Sequence, residues 1–220
     1  MRKLKEYINE KFQVSKDNIR THNTYTYYPK DKYELIVIIL DKIKDEGLGT
    51  EDKPLDLNDI DISNIVDMSF LFSTNIGGSL VPLSKSGHFD ISDWDVSNVE
   101  SMVSMFKGSH FNGDIADWDV SKVKNMKWMF AESKFDGDIS SWDVSNVRDM
   151  RFMFSDSKFT GKNGNISAWD VSNVENMDHM FFGSLFNYNI DNWNVDNVKS
   201  MYSIFDKSPL HKNTPKWYKE

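Results

Sequence analysis

Histidine and aspartate are the side chains of this 220-residue chain best suited to acid–base or metal chemistry, and their spacing argues against both. The five histidines, His22, His88, His110, His179 and His211, share no ligand spacing such as H-E-x-x-H. No nucleophile motif or phosphate-cradling P-loop accompanies them. Aspartates are so frequent that no single carboxylate pair carries information about proton transfer. There is no cysteine, which removes disulfides, thiolate metal sites and a cysteine nucleophile. Gly113-Asp114 and Gly137-Asp138 hint at calcium-loop chemistry, yet their next equivalents are Asn165 and Asn189, and a weaker ligand charge lowers affinity. The expectation is a chain with no catalytic residue, no metal and no cofactor.

Tryptophan carries the organising signal. Trp94, Trp118, Trp142, Trp169, Trp193 and Trp217 are spaced 24, 24, 27, 24 and 24 residues apart, and three extra residues near Lys162-Asn163-Gly164 account for the longer step. Only Trp128 is out of register. The surrounding text recurs as FNGDIADWDVSKVKNMKWMF and FDGDISSWDVSNVRDMRFMF, drifting to YNIDNWNVDNVKSMYSIF in the fifth copy. A degenerate earlier copy, NDIDISNIVDMSFLF, has Ile60 in place of tryptophan.

Within one copy, Val99, Met102, Met105 and Phe106 have the spacing of one helical face, which predicts a short helix or 3-10 turn. Ser97 with Glu100 and Ser172 with Glu175 fit a capping box at its start. Ile115, Trp118 and Val120 predict a short strand before it. Such a unit cannot bury its apolar face alone, so neighbouring coils must stack around a continuous core. The predicted fold is an α/β repeat, a leucine-rich-repeat-like solenoid. About six 24-residue coils span 56–206, with a partial C-terminal coil over 207–220. Residues 1–55 show no repeat and predict a mainly helical N-terminal cap. Leu4, Tyr7, Ile8 and Phe12 form one stripe, and Asp31 to Gly47 bounds a second helix, although Tyr33–Leu40 also reads as an edge strand.

The net charge is −8, and residues 56–205 alone hold 22 acidic against 11 basic residues, 19 of the acids being aspartate. The chain as a whole lacks the basic footprint of a nucleic-acid binder, so direct nucleic-acid contact is not expected. Arg2, Lys3, Lys5, Lys11, Lys16 and Arg20 oppose the acidic repeats in sign and read as a solvated helix face. No apolar run approaches the roughly 20 residues that span a bilayer, so no membrane segment is expected. The charged start MRKLKEYINEKFQ reads as no secretory signal, which points to a cytoplasmic location; a chain trimmed of its signal would instead belong at a surface.

The W-D-V-S-N-V-x-x-M-x-x-M-F string, nearly intact four times, resembles the repeat of the BspA-like proteins, known chiefly from bacterial and mycoplasma surfaces. The resemblance covers residues 56 to about 206. It implies a leucine-rich-repeat-like solenoid that binds proteins or surfaces without catalysis, and it transfers no active site.

Positions that vary between copies are the candidate contacts. Ser104 points away from the apolar face, and its equivalents are Trp128, Phe152, His179 and Ser203. The rings of Trp128, Phe152 and His179 are expected to face outward beside Lys127, Arg151, Asp178 and Tyr202, an aromatic and arginine cluster of the kind that forms binding hot spots. Asp95, Asp119, Asp143 and Asp170 form a column expected to accept backbone N–H bonds in turns. That leaves Asp93, Asp117, Asp149, Asp156 and Asp178 as a candidate acidic face. The primary expectation is a non-enzymatic module for a protein partner. One alternative is an acidic inhibitor, phage-encoded for example, that imitates nucleic acid in the cleft of a host-defence nuclease; a surface adhesin is a third. The thin last coil leaves room for a homodimer at that end.

Overall fold

The computed structural model describes residues 25–74 and 80–219. The stripe of Leu4, Tyr7, Ile8 and Phe12, the basic cluster and His22 lie outside those residues. Helix α1, Lys32–Glu46, is capped by Asp31, whose carboxylate accepts the N–H groups of Tyr33 and Glu34; Gly47, at φ 87°, ends it. The Tyr33–Leu40 run is therefore helix and not an edge strand. α1 buries Leu35 and Ile39 together with Lys42, whose ammonium donates to Asp59 at 2.9 Å. Burial alone would lower the Lys42 pKa; the hydrogen bond and charge of Asp59 outweigh it and raise the pKa.

Beyond α1, regular structure is sparse. β1, Leu55–Asp56, pairs in parallel with β2, Phe89–Asp90, and helix α2, Val81–Ser86, lies between the degenerate copy and the first regular one. Short 3-10 turns occur at Ile166–Ala168 and Pro209–His211.

Equivalent residues of successive repeats are nonetheless paired in strict order. Parallel bridges run Asp67 to Ser101, Asn125, Asp149, Asn176 and Ser200. Between them every second N–H leaves its own repeat: Met102, Ser104, Phe106 and Gly108 donate to the carbonyls of Asn125, Lys127, Met129 and Ala131. The intervening N–H groups close four-residue turns, Met105 to Met102, Lys107 to Ser104 and Ser109 to Phe106. The segment expected to be a short helix or 3-10 turn keeps single turns closed between residues three apart, but they form a tandem chain hydrogen-bonded sideways and not a helix. A helix would keep its N–H groups to itself and leave the next repeat's carbonyls unpaired. The strand expected around Trp118 is also a pair of turns, with the Trp118 N–H on the Ile115 carbonyl and the Val123 N–H on that of Val120. Apolar residues three apart suit two successive turns as well as they suit a helix.

The core is a set of columns. Trp94, Trp118, Trp142, Trp169 and Trp193 are buried, and each indole N–H donates to a carbonyl of the preceding repeat, those of Leu57, Ile91, Ile115, Ile139 and Ile166. Trp217 continues the series onto Ile190 at 2.8 Å. Phe72, Phe106, Phe130, Phe154, Phe181 and Phe205 stack with centroids 5.6–6.1 Å apart. The three inserted residues are absorbed at a tight spot: a Cβ on Gly164 would collide with the Asp138 carboxylate and its backbone, so only glycine fits.

Candidate functional site

The variable column sits at a strained point of the turns. Phe70, Ser104, Trp128, Phe152, His179 and Ser203 all have φ between 51° and 65°. Each is the third residue of a turn whose ends are hydrogen-bonded, as Met105 N–H to Met102 O shows for Ser104. A positive φ there is the mark of a type II turn, which favours glycine or asparagine. Neither occurs at any of the six positions. The second left-handed column, Gly108, Glu132, Asp156, Gly183 and Lys207, does use glycine twice.

In the middle of the column the rings form a ladder. Trp128 and Phe152 lie 3.9 Å apart at 6°, and Phe152 and His179 lie 4.5 Å apart at 7°. Tyr202 meets His179 edge-on at 5.3 Å, and Phe182 lies against it at 5.6 Å. At the opposite end the Lys107 ammonium sits 3.8 Å from the Trp128 ring centroid and 3.4 Å from a Glu132 carboxylate oxygen. The expected outward rings are therefore half-buried; their faces are taken up by one another, and their edges form the surface. Tyr202, 71% exposed, is the most open ring of the group.

Two magnitudes bear on why the ladder exists. Left-handed backbone costs roughly 1–2 kcal/mol per residue outside glycine, so three such residues cost roughly 3–6 kcal/mol. Two aromatic stacks return about 1–3 kcal/mol. Ring burial adds to the return, but Ser104 and Ser203 bear the same strain with no ring. The strain therefore comes with the turn that every repeat shares, and the rings offset only part of it.

The charged residues are arranged differently from the expected acidic face. Arg151 grips Asp149 through Nε and Nη2, the shortest contact being 2.6 Å, and this hydrogen bond raises the Arg151 pKa. Asp149 is therefore neutralised and half-buried. Asp178 is half-buried too, accepting from Ser200 Oγ and from the Tyr202 N–H. Burial would raise its pKa, but those hydrogen bonds prevail and hold it below the ordinary carboxylate value. Both are corrections: their carboxylates join neighbouring groups and do not form an open acidic surface. Asp93, Asp117 and Asp156 are exposed. Lys127 is half-buried, with its N–H on Asn125 Oδ1.

The other aspartate column does what turn chemistry requires. Asp95, Asp119, Asp143 and Asp170 each accept the N–H of the serine two residues on, at 3.0–3.1 Å, and Asn194 does the same for Asp196. Ser97 and Ser172 are thus donors to an aspartate and cap no helix. Glu100 and Glu175 instead pair across repeats, Glu100 with Lys124 at 2.7 Å and Glu175 with Lys199 at 2.6 Å and Arg148 at 3.3 Å. Among the described residues no three His, Asp or Glu side chains converge as a metal site would need, and no helix is long and apolar enough to cross a membrane.

Sequence reasoning missed Lys107 and Phe70. Phe70 was visible as the Ser104 equivalent in the degenerate copy. Lys107 belongs to a different column, and nothing in its spacing says that it bends back over a ring of the next repeat.

A family described as Mycoplasma protein of unknown function, DUF285, matches residues 49–163 and 157–219. The chain belongs to this repeat family. No curated protein and no solved structure matched the chain.

Proposed function

We propose that the chain is a BspA-like solenoid of leucine-rich-repeat type that recognises a protein partner without catalysis, through the ladder edge of Trp128, Phe152 and His179 with Tyr202 beside it. The observation that carries this reading is the left-handed column: strained positions that glycine would relieve hold varied, mostly bulky side chains in a repeat that is otherwise nearly constant. Every repeat carries the same turn, so the strain belongs to the fold; what marks the column is that its side chains differ from repeat to repeat while their neighbours are nearly constant. The acidic-mimic reading draws less support, because Asp149 is bound by Arg151 and Glu100 and Glu175 are paired with bases.

The test is a pull-down from lysate of the native source with wild type and a Trp128→Ser/Phe152→Ser double variant, washed at about 0.1 and 0.5 M salt to vary screening. A partner held by wild type in both washes and lost by the folded variant supports the reading. Equal recovery by wild type and variant sinks it, and loss of the wild-type partner at the higher salt alone favours a charge mimic.

A further inference from the structure

The ring row is interrupted once. By backbone register it runs Phe70, Ser104, Trp128, Phe152, His179: the N–H groups of these five donate to Val103, Lys127, Arg151, Asp178 and Tyr202 respectively. Ser104 offers no ring, and it is still only 3% exposed. The group against the open face of Trp128 is the Lys107 side chain, itself only 20% exposed, with its ammonium between the indole and Glu132. Two steps of the row, at the ~4.8 Å spacing of paired strands, give roughly 9.6 Å between Phe70 and Trp128 positions, room for one flat group between two rings. Trp128 supplies a π-face and Glu132 a carboxylate, the pair of features that selects a cation.

We propose that this interruption is a binding slot for the guanidinium of a partner-protein arginine, and that Lys107 is its built-in occupant. A guanidinium is flat, stacks on an indole and pairs with a carboxylate through two N–H groups, whereas an ammonium meets the ring only as a point charge. An incoming arginine therefore displaces Lys107, whose four-carbon stem lets it swing out to water. The proposal rests on the partner-binding reading above and names the partner's contact chemistry.

The test is an NMR titration of the full chain with N-acetyl-arginine methylamide, reading the Trp128 indole N–H resonance, assigned by its loss in Trp128→Phe. N-acetyl-norleucine methylamide is the uncharged control. Lys107→Ala, which empties the slot, should show a saturable shift with arginine and bind it at least about threefold more tightly than wild type, the factor that a cation–π contact of this kind supplies. Ser104→Phe, which puts a ring in the gap as in the neighbouring repeats, should abolish the response in a chain that still unfolds cooperatively and keeps the wild-type circular dichroism spectrum. No saturable shift in Lys107→Ala, or an equal one with the norleucine analogue, overturns the slot. The two ideas fail separately: a natural partner lost by Trp128→Ser/Phe152→Ser but kept by Ser104→Phe removes the slot and leaves the ladder reading standing. An arginine response without any partner dependence on the ladder does the reverse.

Discussion

Asp90 is one of many aspartates that serve the fold through their charge. Its carboxylate accepts the N–H and hydroxyl of Ser92. Burial pushes its pKa up, but those bonds prevail, and the pKa lies below the ordinary carboxylate value. Asp67, Asp119, Asp138, Asp170, Glu175, Asp178 and Asp191 are shifted in the same direction. A carboxylate whose folded pKa is depressed contributes stability above its unfolded pKa, near 3.9 for aspartate, and loses it as pH falls toward the folded value. Melting temperature is therefore expected to be flat above about pH 5 and to drop steeply below about pH 4. Asp90→Asn keeps an acceptor for Ser92, as Asn194 does in its own turn, and removes the titration. It should melt below wild type at neutral pH, where the charge contributes, and lose less on acidification, so that the two converge at low pH. A drop as steep as wild type's would show that the Asp90 charge is not involved.

The single repeat is an element that owes its shape to what it bonds to. Trp142 packs against Trp118 at 6.5 Å and donates its indole N–H to the Ile115 carbonyl. Trp142→Phe keeps most of the apolar volume and removes one of the two hydrogen bonds on that carbonyl, which still accepts the Trp118 N–H, so the lost bond should cost about 0.5–1.5 kcal/mol. Urea unfolding of the variant measures it; a change within a few tenths of a kcal/mol would mean that packing alone fixes the tryptophan. This dependence on neighbours explains what could be read in advance. The 24-residue register, the buried Trp, Met and Phe columns and the aspartate turns were legible because identical neighbours impose identical roles. The local conformation was not. Val99, Met102, Met105 and Phe106 satisfy a helical spacing, while the left-handed turns that replace the helix normally announce themselves by glycine, and Ser104, Trp128 and Phe152 conceal them. The same concealment affected the candidate site: the outward column follows from the period, but the stacking of its faces and the reach of Lys107 to Trp128 are contacts between repeats that no single repeat displays.

At the scale of the whole molecule, stability is the sum of like interfaces, so the array should tolerate losing one unit but not half of one. Removing residues 119–142 joins Trp118 to Asp143, leaves every remaining tryptophan donor one repeat from its carbonyl, and brings Ser104 beside Phe152 in the ladder row. The shortened chain should fold cooperatively, with a lower melting temperature and a smaller denaturant slope, because one interface and its surface are gone. Removing 119–130 instead deletes the turns that carry Met126, Met129 and Phe130, sets the indole series out of step with the bridges and should abolish cooperative unfolding. Circular dichroism melts and urea titrations of the two deletions decide the matter. Similar destabilisation by both would mean that the repeats fold as one indivisible core. The first deletion also removes Trp128 and Lys107's partner Glu132 in one step while retaining Phe152 and His179. Partner binding should therefore fall with it even though the remaining repeats stay folded, which separates the surface column from the stacking that supports it.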